Sequence, residues 1–307
     1  MQPHHTIHRD RGHLGWDRSI QPVLRVAPGS TVEVDCQDAS GGQLGPDATA
    51  AHLAGLASDA INPLTGPVFV EGAEPGDTLA VHIDGLEGEG WGWTAIIPGF
   101  GLLAAEFPEP FVNVSTYDAG GVAFADGIRL PLRAFTGTIG VAPAAAGRHD
   151  VVPPRHVGGN LDLRDVVAGA TLYLPVEVPG ALLSIGDTHA AQGDGEVCGT
   201  AVETAMRVTV TVDVRRDLHV RRPQLDVALG GGQANVHHVT TGVGPDLYAA
   251  ARQVVMDQID YLARTYGLDP QLAYCLCSVA GHLRISEVVD APNWVVACYL
   301  PTDVFVD

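Results

Sequence analysis

The sequence contains no lysine: all 17 of its Lys+Arg residues are arginines. A lysine amine is required for Schiff-base catalysis and for the phosphate-binding P-loop, so both mechanisms are excluded. The Ser-Ser-Lys and Cys-Glu-Lys amidase designs, in which lysine shuttles a proton, are excluded for the same reason. Any catalysis by this protein therefore proceeds without an ammonium group.

Cysteines and long apolar runs are also scarce. Five cysteines scattered along the chain are an odd number, which does not indicate a disulfide framework. Cys275 and Cys277 lie two apart among apolar neighbours, and we expect buried, unreactive thiols. No stretch approaches about 18 uninterrupted apolar residues, and the opening MQPHHTIHRDRGHLGW has no hydrophobic signal segment. These features predict a cytoplasmic protein that is neither exported nor membrane-spanning.

The charge is strongly acidic. The chain has 36 Asp+Glu residues against 17 arginines, which gives a formal net charge of −19. Such a surface repels phosphate backbones and anionic lipid headgroups over a Debye length. We therefore expect no nucleic acid and no membrane as partner, and the acidity itself favours solubility.

Glycine and proline punctuate short runs of Val, Ile, Leu and Thr, a pattern typical of strands joined by tight turns. TVEVDCQ, TLAVHID and MRVTVTVDVRR alternate apolar and polar residues, which predicts half-buried antiparallel strands. APGST, EPGDT and VPGAL each place Pro before Gly, as a type II turn prefers. The prediction is a mainly β fold of β-sandwich or jelly-roll-like antiparallel sheets.

One C-terminal segment breaks the β pattern. After a capping Asp246, the run LYAAARQVVMDQIDYLARTYG carries apolar residues at helical spacing and ends at Gly267. Its predicted apolar face comprises Leu247, Ala251, Val254, Met256, Ile259 and Leu262. A second short helix is predicted to begin at Asp269 and Pro270. Together with the last strands, these helices form a small α/β layer on an otherwise β protein.

With 307 residues and 46% apolar content, the chain can bury a large core in one domain or two. The stretch 142–162 is rich in Ala, Pro and Gly without periodicity, which makes it the best candidate boundary. We predict an N-terminal β-rich lobe over residues 1–150. A C-terminal β lobe over residues 151–307 carries the catalytic segment and the helices. The alternative is a long surface loop over one continuous domain.

The densest group of polar residues is SIGDTHAAQGDGEVCGTAVE. Asp187 and His189 stand two apart on a predicted strand and so face the same way. A carboxylate and an imidazole side by side are ligand types of a divalent metal, although a structural histidine beside a surface acid gives the same pattern. The following QGDGE places Gln192, Asp194 and Glu196 on a loop whose glycines allow a small ligand to approach the backbone.

A second acidic position follows the strand TVEVDCQ. Asp38 stands at the end of this strand, before a small glycine-rich loop, where catalytic groups are commonly mounted. An aspartate that only forms a turn is the alternative interpretation.

Several of these segments resemble the acetamidase/formamidase family. They are INPLTGPVFVEGAEPGDTLAVHI, IIPGFGLL, GTIGVAP, GGNLD and LPVEVPGALLSIGDTHAAQGDGEVCGTAVE. The resemblance runs from about His13 to the strand ending near Val214, roughly two thirds of the chain, and its GD-x-HAAQGDGE block is highly specific. It implies hydrolysis of short amides such as formamide or acetamide to the carboxylate and ammonia. It also implies a β-sandwich-rich fold, a homo-oligomer and a bound divalent cation.

Carried over residue by residue, the family's acidic loop position falls on Asp38, and its Asp and His fall on Asp187 and His189. We hypothesise that these three residues hold the cation. Zinc is favoured, and calcium or manganese also suits one histidine among carboxylates. Because the sequence lacks lysine and a G-x-S-x-G elbow, a water activated by the cation is the economical nucleophile.

The family's remaining polar positions fall on Gln192, Asp194, Glu196 and Glu203. Glu196 is the candidate that takes a proton from water and returns it to ammonia, with Asp194 as the second catalytic candidate. Gln192 and Glu203 are the candidate substrate-binding residues.

Three alternatives remain open. The protein could be a non-catalytic β-sandwich module that binds a small ligand, because such a fold says nothing about turnover. It could be an amidohydrolase that uses an acid pair without metal. Because close relatives in the family act on lactams, the substrate could also be a lactam ring.

Overall fold

The computed structural model describes residues 4–229 and 235–306. The first strands in chain order are β1 (His4–Ile7), β2 (Gly12–His13), β3 (Leu24–Val26), β4 (Ser30–Cys36), β5 (Leu64–Val70), β6 (Thr78–Gly88), β7 (Trp91–Ile96), β8 (Phe111–Asp118), β9 (Gly121–Ala125) and β10 (Ile128–Leu130). The later strands are β11 (Phe135–Gly140), β12 (Gly158–Asn160), β13 (Thr171–Pro175), β14 (Ala181–His189), β15 (Met206–Arg215), β16 (Gln224–Ala228), β17 (Val236–Gly244), β18 (His282–Glu287) and β19 (Trp294–Pro301). The helices are α1 (Ala50–Leu53), α2 (Leu247–Tyr266) and α3 (Pro270–Ala280).

The strands form three sheets. A nine-stranded sheet runs in the order β1-β4-β15-β6-β13-β16-β17-β19-β18, and a six-stranded sheet contains β12-β11-β14-β5-β2 with β3 beside β5. The third sheet is β10-β9-β8-β7. Pairing is antiparallel except between β1 and β4 and between β3 and β5. The predicted mainly β fold of antiparallel sheets is confirmed.

Alternation along the strands creates the core. In β4, Val32 and Val34 are buried while Glu33 lies half-buried on the opposite face. The nine-stranded and six-stranded sheets share one apolar cluster, to which Ile139 and Ile185 contribute from the six-stranded side. Fully burying an aliphatic side chain of this kind stabilises the fold by about 1.5–3 kcal/mol, so the alternating valines fix which face turns inward.

The helical layer packs on β17 and β19. Asp246 accepts a hydrogen bond from the first turn of α2 at 2.6 Å, and Gly267 ends the helix with a φ of 66°. Val254 and Leu262 are fully buried, as predicted. The expectation for Met256 is wrong, because its side chain is 59% exposed. Positions two residues apart on a helix point in directions that differ by about 200°. Met256, two residues after Val254, therefore faces away from it.

The two predicted lobes share a sheet. In the nine-stranded sheet, β15 lies between β4 and β6, so strands from both sides of residue 150 are hydrogen-bonded neighbours. The stretch 142–162 contains β12, and Leu161 within it is fully buried. The division into 1–150 and 151–307 stays a prediction.

Within the ranges that the structure describes, no helix is long and apolar enough to cross a membrane.

Candidate active site

The end of β14 supplies the centre of the site. His189 is fully buried, and its Nε2 lies 3.1 Å from Oδ1 of Asp187. The ring of Phe135, on the neighbouring strand β11, contacts the imidazole edge-on with the centroids 4.9 Å apart. The expectation that Asp187 and His189 face the same way is therefore confirmed.

Glu203 approaches the same nitrogen of the imidazole as Asp187. Its Oε2 lies 3.0 Å from Nε2 of His189, and the two residues also form an isolated β-bridge. The backbone N–H of Ala201 donates to Oε1 of Glu203 at 2.7 Å, which orients the carboxylate. The Nε2 atom of His189 therefore faces two buried carboxylates.

Gln192 holds the second nitrogen of the ring. Its Oε1 lies 3.0 Å from Nδ1 of His189, and its Nε2 donates to the carbonyl of Asp162 at 2.9 Å. An amide oxygen can only accept, so the proton of this hydrogen bond is on Nδ1. A neutral His189 therefore has its free lone pair on Nε2, towards Asp187 and Glu203. Gln192 positions the imidazole, and its role in substrate binding stays a prediction.

Further buried acids surround this centre. Oδ1 of Asp162, which follows β12, lies 3.7 Å from Nδ1 of His189. Glu196 is buried on the loop after β14. Asp290 follows β18 and accepts a hydrogen bond from the amide of Asn160 at 2.7 Å.

Four polar residues near this centre were not predicted from the sequence as site residues: Asn160, Asp162, Glu287 and Asp290. The first two stand in GGNLD, a segment that resembled the family without suggesting a role. Glu287 is the last residue of β18 and Asp290 follows that strand, far along the chain, and their approach depends on the bridge between Gly195 and Glu287. Their position at or just after the end of a strand, where functional groups are commonly mounted, was the one sequence feature that could have indicated them.

Two sets of side chains could each hold a metal ion. Asp187, His189 and Glu203 form one set, and Asp162, His189 and Glu196 form the other, with the potential ligand atoms of each set within 4.8 Å of one another. In the first set the second ring nitrogen of His189 is hydrogen-bonded, as is usual for a metal-bound histidine.

The buried oxygens fit a divalent cation. Both carboxylate oxygens of Asp162 are buried without a hydrogen-bond donor, and Oε2 of Glu203 faces Nε2 of His189, which carries the lone pair when the ring is neutral. An unpaired buried carboxylate costs several kcal/mol, and a cation among these oxygens would remove that cost. One nitrogen with several carboxylate oxygens suits zinc, manganese or calcium.

Electrostatics at the imidazole follow from this geometry. Burial disfavours the charged ring, yet the Glu203 and Asp187 carboxylates raise the pKa of His189 well above its usual value. Burial also disfavours ionised Asp187, but the facing imidazole lowers the pKa of that carboxyl. Burial raises the pKa of Glu203 to about 7, because the attraction of His189 offsets it only in part.

The outer acids share an excess of negative charge. Burial and the charge of Asp187 raise the pKa of Asp162 well above its usual range, and burial and the charge of Asp162 do the same for Glu196 and Asp290. In residues 4–229 and 235–306, no arginine forms an ion pair with Asp162, Glu196 or Asp290. Protons or a bound cation must therefore neutralise the cluster.

Three of the acids are on strained backbone. Asp162, Asp187 and Glu196 have φ angles of 43°, 49° and 45°, in the left-handed region that favours glycine. Each such residue costs of order 1–3 kcal/mol and persists where the surroundings fix it. Strain of this kind concentrates at functional sites, and here it aims three carboxylates at one centre.

Asp38 lies in neither set of possible metal ligands. Its Oδ1 accepts from the Ser40 N–H at 2.8 Å and from Nε1 of Trp93 at 3.1 Å, and its Oδ2 accepts from the Gly42 N–H at 3.1 Å. These donors occupy the carboxylate that was expected to bind metal. The geometry instead gives Asp38 the task of fixing its loop and the Trp93 indole.

Asp194 is likewise outside both sets. Its side chain is 35% exposed, and Oδ1 lies 3.8 Å from Nε of Arg164. Asp194 lines a cavity of about 480 Å³ together with Arg133 and Arg164. Its expected role in proton transfer stays a prediction that this geometry does not favour over Glu196.

A cavity of about 370 Å³ reaches the carboxylate cluster. Asn160, Asp187, Glu196, Glu203 and Asp290 line its buried part. A small molecule that enters this cavity meets carboxylates that can hold a cation or exchange protons, which is the chemistry that hydrolysis needs.

Comparison with known proteins identifies relatives over nearly the whole chain. A sequence profile described as the Acetamidase/Formamidase family matches residues 2–150 and 144–307. The formamidase of Methylophilus methylotrophus is 27% identical, over 95% of this chain and 89% of its own length. The acetamidase structure from Bacillus halodurans is 32% identical with a TM-score of 0.89, over 98% of both chains. The acetamidase structure from Yersinia enterocolitica is 31% identical with a TM-score of 0.90, over 100% of this chain and 94% of its own.

Proposed function

Because this chain belongs to the acetamidase/formamidase family, we propose that it hydrolyses the C–N bond of a linear amide, releasing a carboxylate and ammonia. The observation that carries the proposal is the position of His189, held between the carboxylates of Asp187 and Glu203 beside a cavity. Relatives named formamidase and acetamidase support amides as the substrate class.

We further propose that Asp187, His189 and Glu203 hold a divalent cation, with zinc, manganese or calcium as the suitable ions. The hydrogen bond from Nδ1 of His189 to Gln192 keeps the lone pair on Nε2, where the two carboxylates converge. When bound, the cation supplies polarisation of the amide carbonyl and a more acidic water.

Glu196 is proposed to move the proton. It is buried, it belongs with Asp162 and His189 to the other set of possible metal ligands, and it lines the cavity. As the water oxygen bonds to the carbonyl carbon, Glu196 accepts a proton from that water. It then donates the proton to the departing nitrogen while the C–N bond breaks. A neutral amine leaves far more readily than an amide anion.

Ammonia release from the purified protein tests this function. We expect ammonia from at least one linear amide in a panel, loss of activity after chelation, and recovery with a single added metal. Ligand binding without ammonia would favour a non-catalytic binding module instead. Faster opening of a γ-lactam than of any linear amide would make the protein a lactam hydrolase.

A second mechanism also has support, namely acid chemistry without metal. Burial raises the pKa of Glu203 to about 7 and raises the pKa values of Asp162 and Asp290 well above their usual range, so these acids could retain protons at neutral pH. Full activity in protein whose metal has been removed would favour this mechanism.

Two broader assignments are also proposals. The family resemblance implies a homo-oligomer, which sedimentation of the purified protein tests directly. The sequence composition suggests the cytoplasm, which fractionation of the producing cells tests.

A further inference from the structure

The cavity beside His189 is larger than the smallest amides require. Its volume is about 370 Å³, within the roughly 300–1,000 Å³ of sites that enclose much larger ligands. Acetamide has the bulk of about four water molecules, or about 120 Å³ at about 30 Å³ each. About two thirds of the space is left over when acetamide occupies it.

Most of the remaining wall is apolar, with Ser58 and Asn62 as polar residues at its edge. Its side chains include Leu53, Leu56, Ile61, Trp93, Ile97 and Phe100. The lining acids are at most 7% exposed, whereas Ile61 is 39% exposed, so the carboxylates lie deep and the apolar residues extend to the mouth. Neither arginine nor histidine lines this cavity in the described ranges. The wall therefore favours an uncharged, apolar group, because it supplies no cationic side chain to pair with a carboxylate or phosphate.

Contacts within the protein hold the side chains of this wall in place. The ring of Phe100 lies directly on Gly199, where an added Cβ would be 2.4 Å from the ring. The backbone N–H of Phe100 also donates to the carbonyl of Ile97 at 2.9 Å. Asp38 fixes the Trp93 indole, another part of this wall, by accepting a 3.1 Å hydrogen bond from it. Because these side chains are already held in place, an apolar group can bind to them without a rearrangement of the wall.

The loop that carries Leu53 and Leu56 is tied down in the same way. Gln43 accepts from the Ala57 N–H at 2.8 Å and donates to the carbonyl of Ser40 at 2.7 Å. Leu53 and Leu56 pack against the apolar cluster that contains Trp93. This loop and the Phe100 turn thus supply most of the apolar lining of the cavity.

Building on the proposed amide hydrolysis, we propose that the preferred substrate is an uncharged primary amide whose acyl group is larger than acetyl. The acyl group is an aliphatic chain of about four to six carbons or a single aromatic ring. Its carboxamide lies at the acid cluster, and its apolar part contacts Leu56, Ile61 and Phe100.

A substrate series tests this inference. We would measure kcat/KM for formamide, acetamide, butanamide, hexanamide, benzamide and 2-pyrrolidinone. From acetamide to hexanamide, kcat/KM should rise about fourfold per added methylene, which corresponds to about 0.8 kcal/mol of burial for each. A maximum at formamide or acetamide overturns the inference, and so does a preference for 2-pyrrolidinone. If no compound in the series is hydrolysed, the proposed function itself fails.

Variants locate the acyl group. Ile61→Ser should lower the hexanamide-to-acetamide ratio of kcat/KM by about tenfold, because the contact is lost only for the longer chain. Leu56→Ser should act in the same direction. Leu102→Ser is the matched control, since Leu102 is 53% exposed and lies outside the cavity. An unchanged ratio in folded Ile61→Ser and Leu56→Ser, or an equal loss in Leu102→Ser, overturns the placement.

Discussion

Nε2 of His189 lies 3.0 Å from Oε2 of Glu203, and the two residues also pair through their backbones. Asp187 approaches the same nitrogen at 3.1 Å, so one lone pair faces two carboxylates. Removing the imidazole leaves these acids without a nitrogen partner, and a cation would lose a ligand.

We therefore predict that His189→Asn loses most of its bound divalent metal and its ammonia release. Elemental analysis and an ammonia assay on the purified variant measure both quantities. His238→Asn is the matched control, because His238 is also buried beside a carboxylate, 2.7 Å from Asp226, but lies in neither possible metal set. Normal metal content and turnover in folded His189→Asn would place the active site elsewhere.

Gln192 should matter through His189. In Gln192→Leu the ring loses its 3.0 Å partner at Nδ1, so the tautomer and the ring orientation are no longer fixed. Loss of such a supporting contact typically lowers metal affinity or activity by about 10–100-fold. We expect weaker metal binding in a competition titration, with activity partly recovered by excess metal. Unchanged affinity with a raised KM would instead support the earlier expectation that Gln192 binds substrate.

Glu196→Gln tests the proton transfer. The amide keeps the shape of the carboxylate but cannot accept a proton, so kcat should fall by about 10²- to 10⁴-fold with little change in KM. Metal content should stay normal, because Glu196 is not in the set of Asp187, His189 and Glu203 proposed to hold the cation. Asp194→Asn is the comparison: an equal fall in kcat there would make Asp194 the proton carrier.

Local sequence pattern was sufficient for the strands and for part of the site. The alternation of apolar and polar residues predicts the buried face of β4. The spacing of two residues along a strand predicts that the side chains of Asp187 and His189 face the same way. Asp162 and Asp290 could not be placed in this way, because they approach His189 only once β12, β11 and β14 pair and the end of β18 reaches the loop after β14. Asp38 shows a different limit, since the sequence pattern gives no sign of the backbone and indole N–H groups that its carboxylate accepts, and its role as a metal ligand stays a prediction.

Asp38→Asn should therefore affect the fold more than the metal. The carboxylate accepts three N–H groups, and an asparagine would place its own N–H₂ against at least one of them. Loss of hydrogen bonds to a charged group costs about 1.5–3 kcal/mol, which urea unfolding would record as a lower free energy of unfolding. Metal content should be unchanged. Loss of the metal in a folded variant would restore Asp38 as a ligand.

His13 should make the fold sensitive to acid. Burial lowers the pKa of His13, and its hydrogen bond to the carbonyl of Gly15 offsets this only in part. The unfolded chain, with a pKa of about 6.5, then binds the proton at higher pH than the folded chain does. The stability from His13 is present above that value and is lost as the pH falls through the folded pKa.

Urea unfolding at about pH 7.5 and about pH 5.5 measures this effect. The free energy of unfolding should fall more steeply with acid in the wild-type protein than in His13→Gln, whose side chain does not titrate. Equal slopes would mean that the His13 side chain, 2.9 Å from Oγ of Ser184, takes up its proton equally well in both states.

The most direct test of a cation held by Asp187, His189 and Glu203 is ammonia release from one amide substrate, measured on the same preparation before chelation, after it, and after metal restoration. We expect about one divalent ion per chain at the outset, no ammonia once elemental analysis shows that the metal is gone, and recovery with zinc, manganese or calcium. Undiminished ammonia release from metal-free protein would contradict the cation site and leave the carboxyl groups as the sole catalysts.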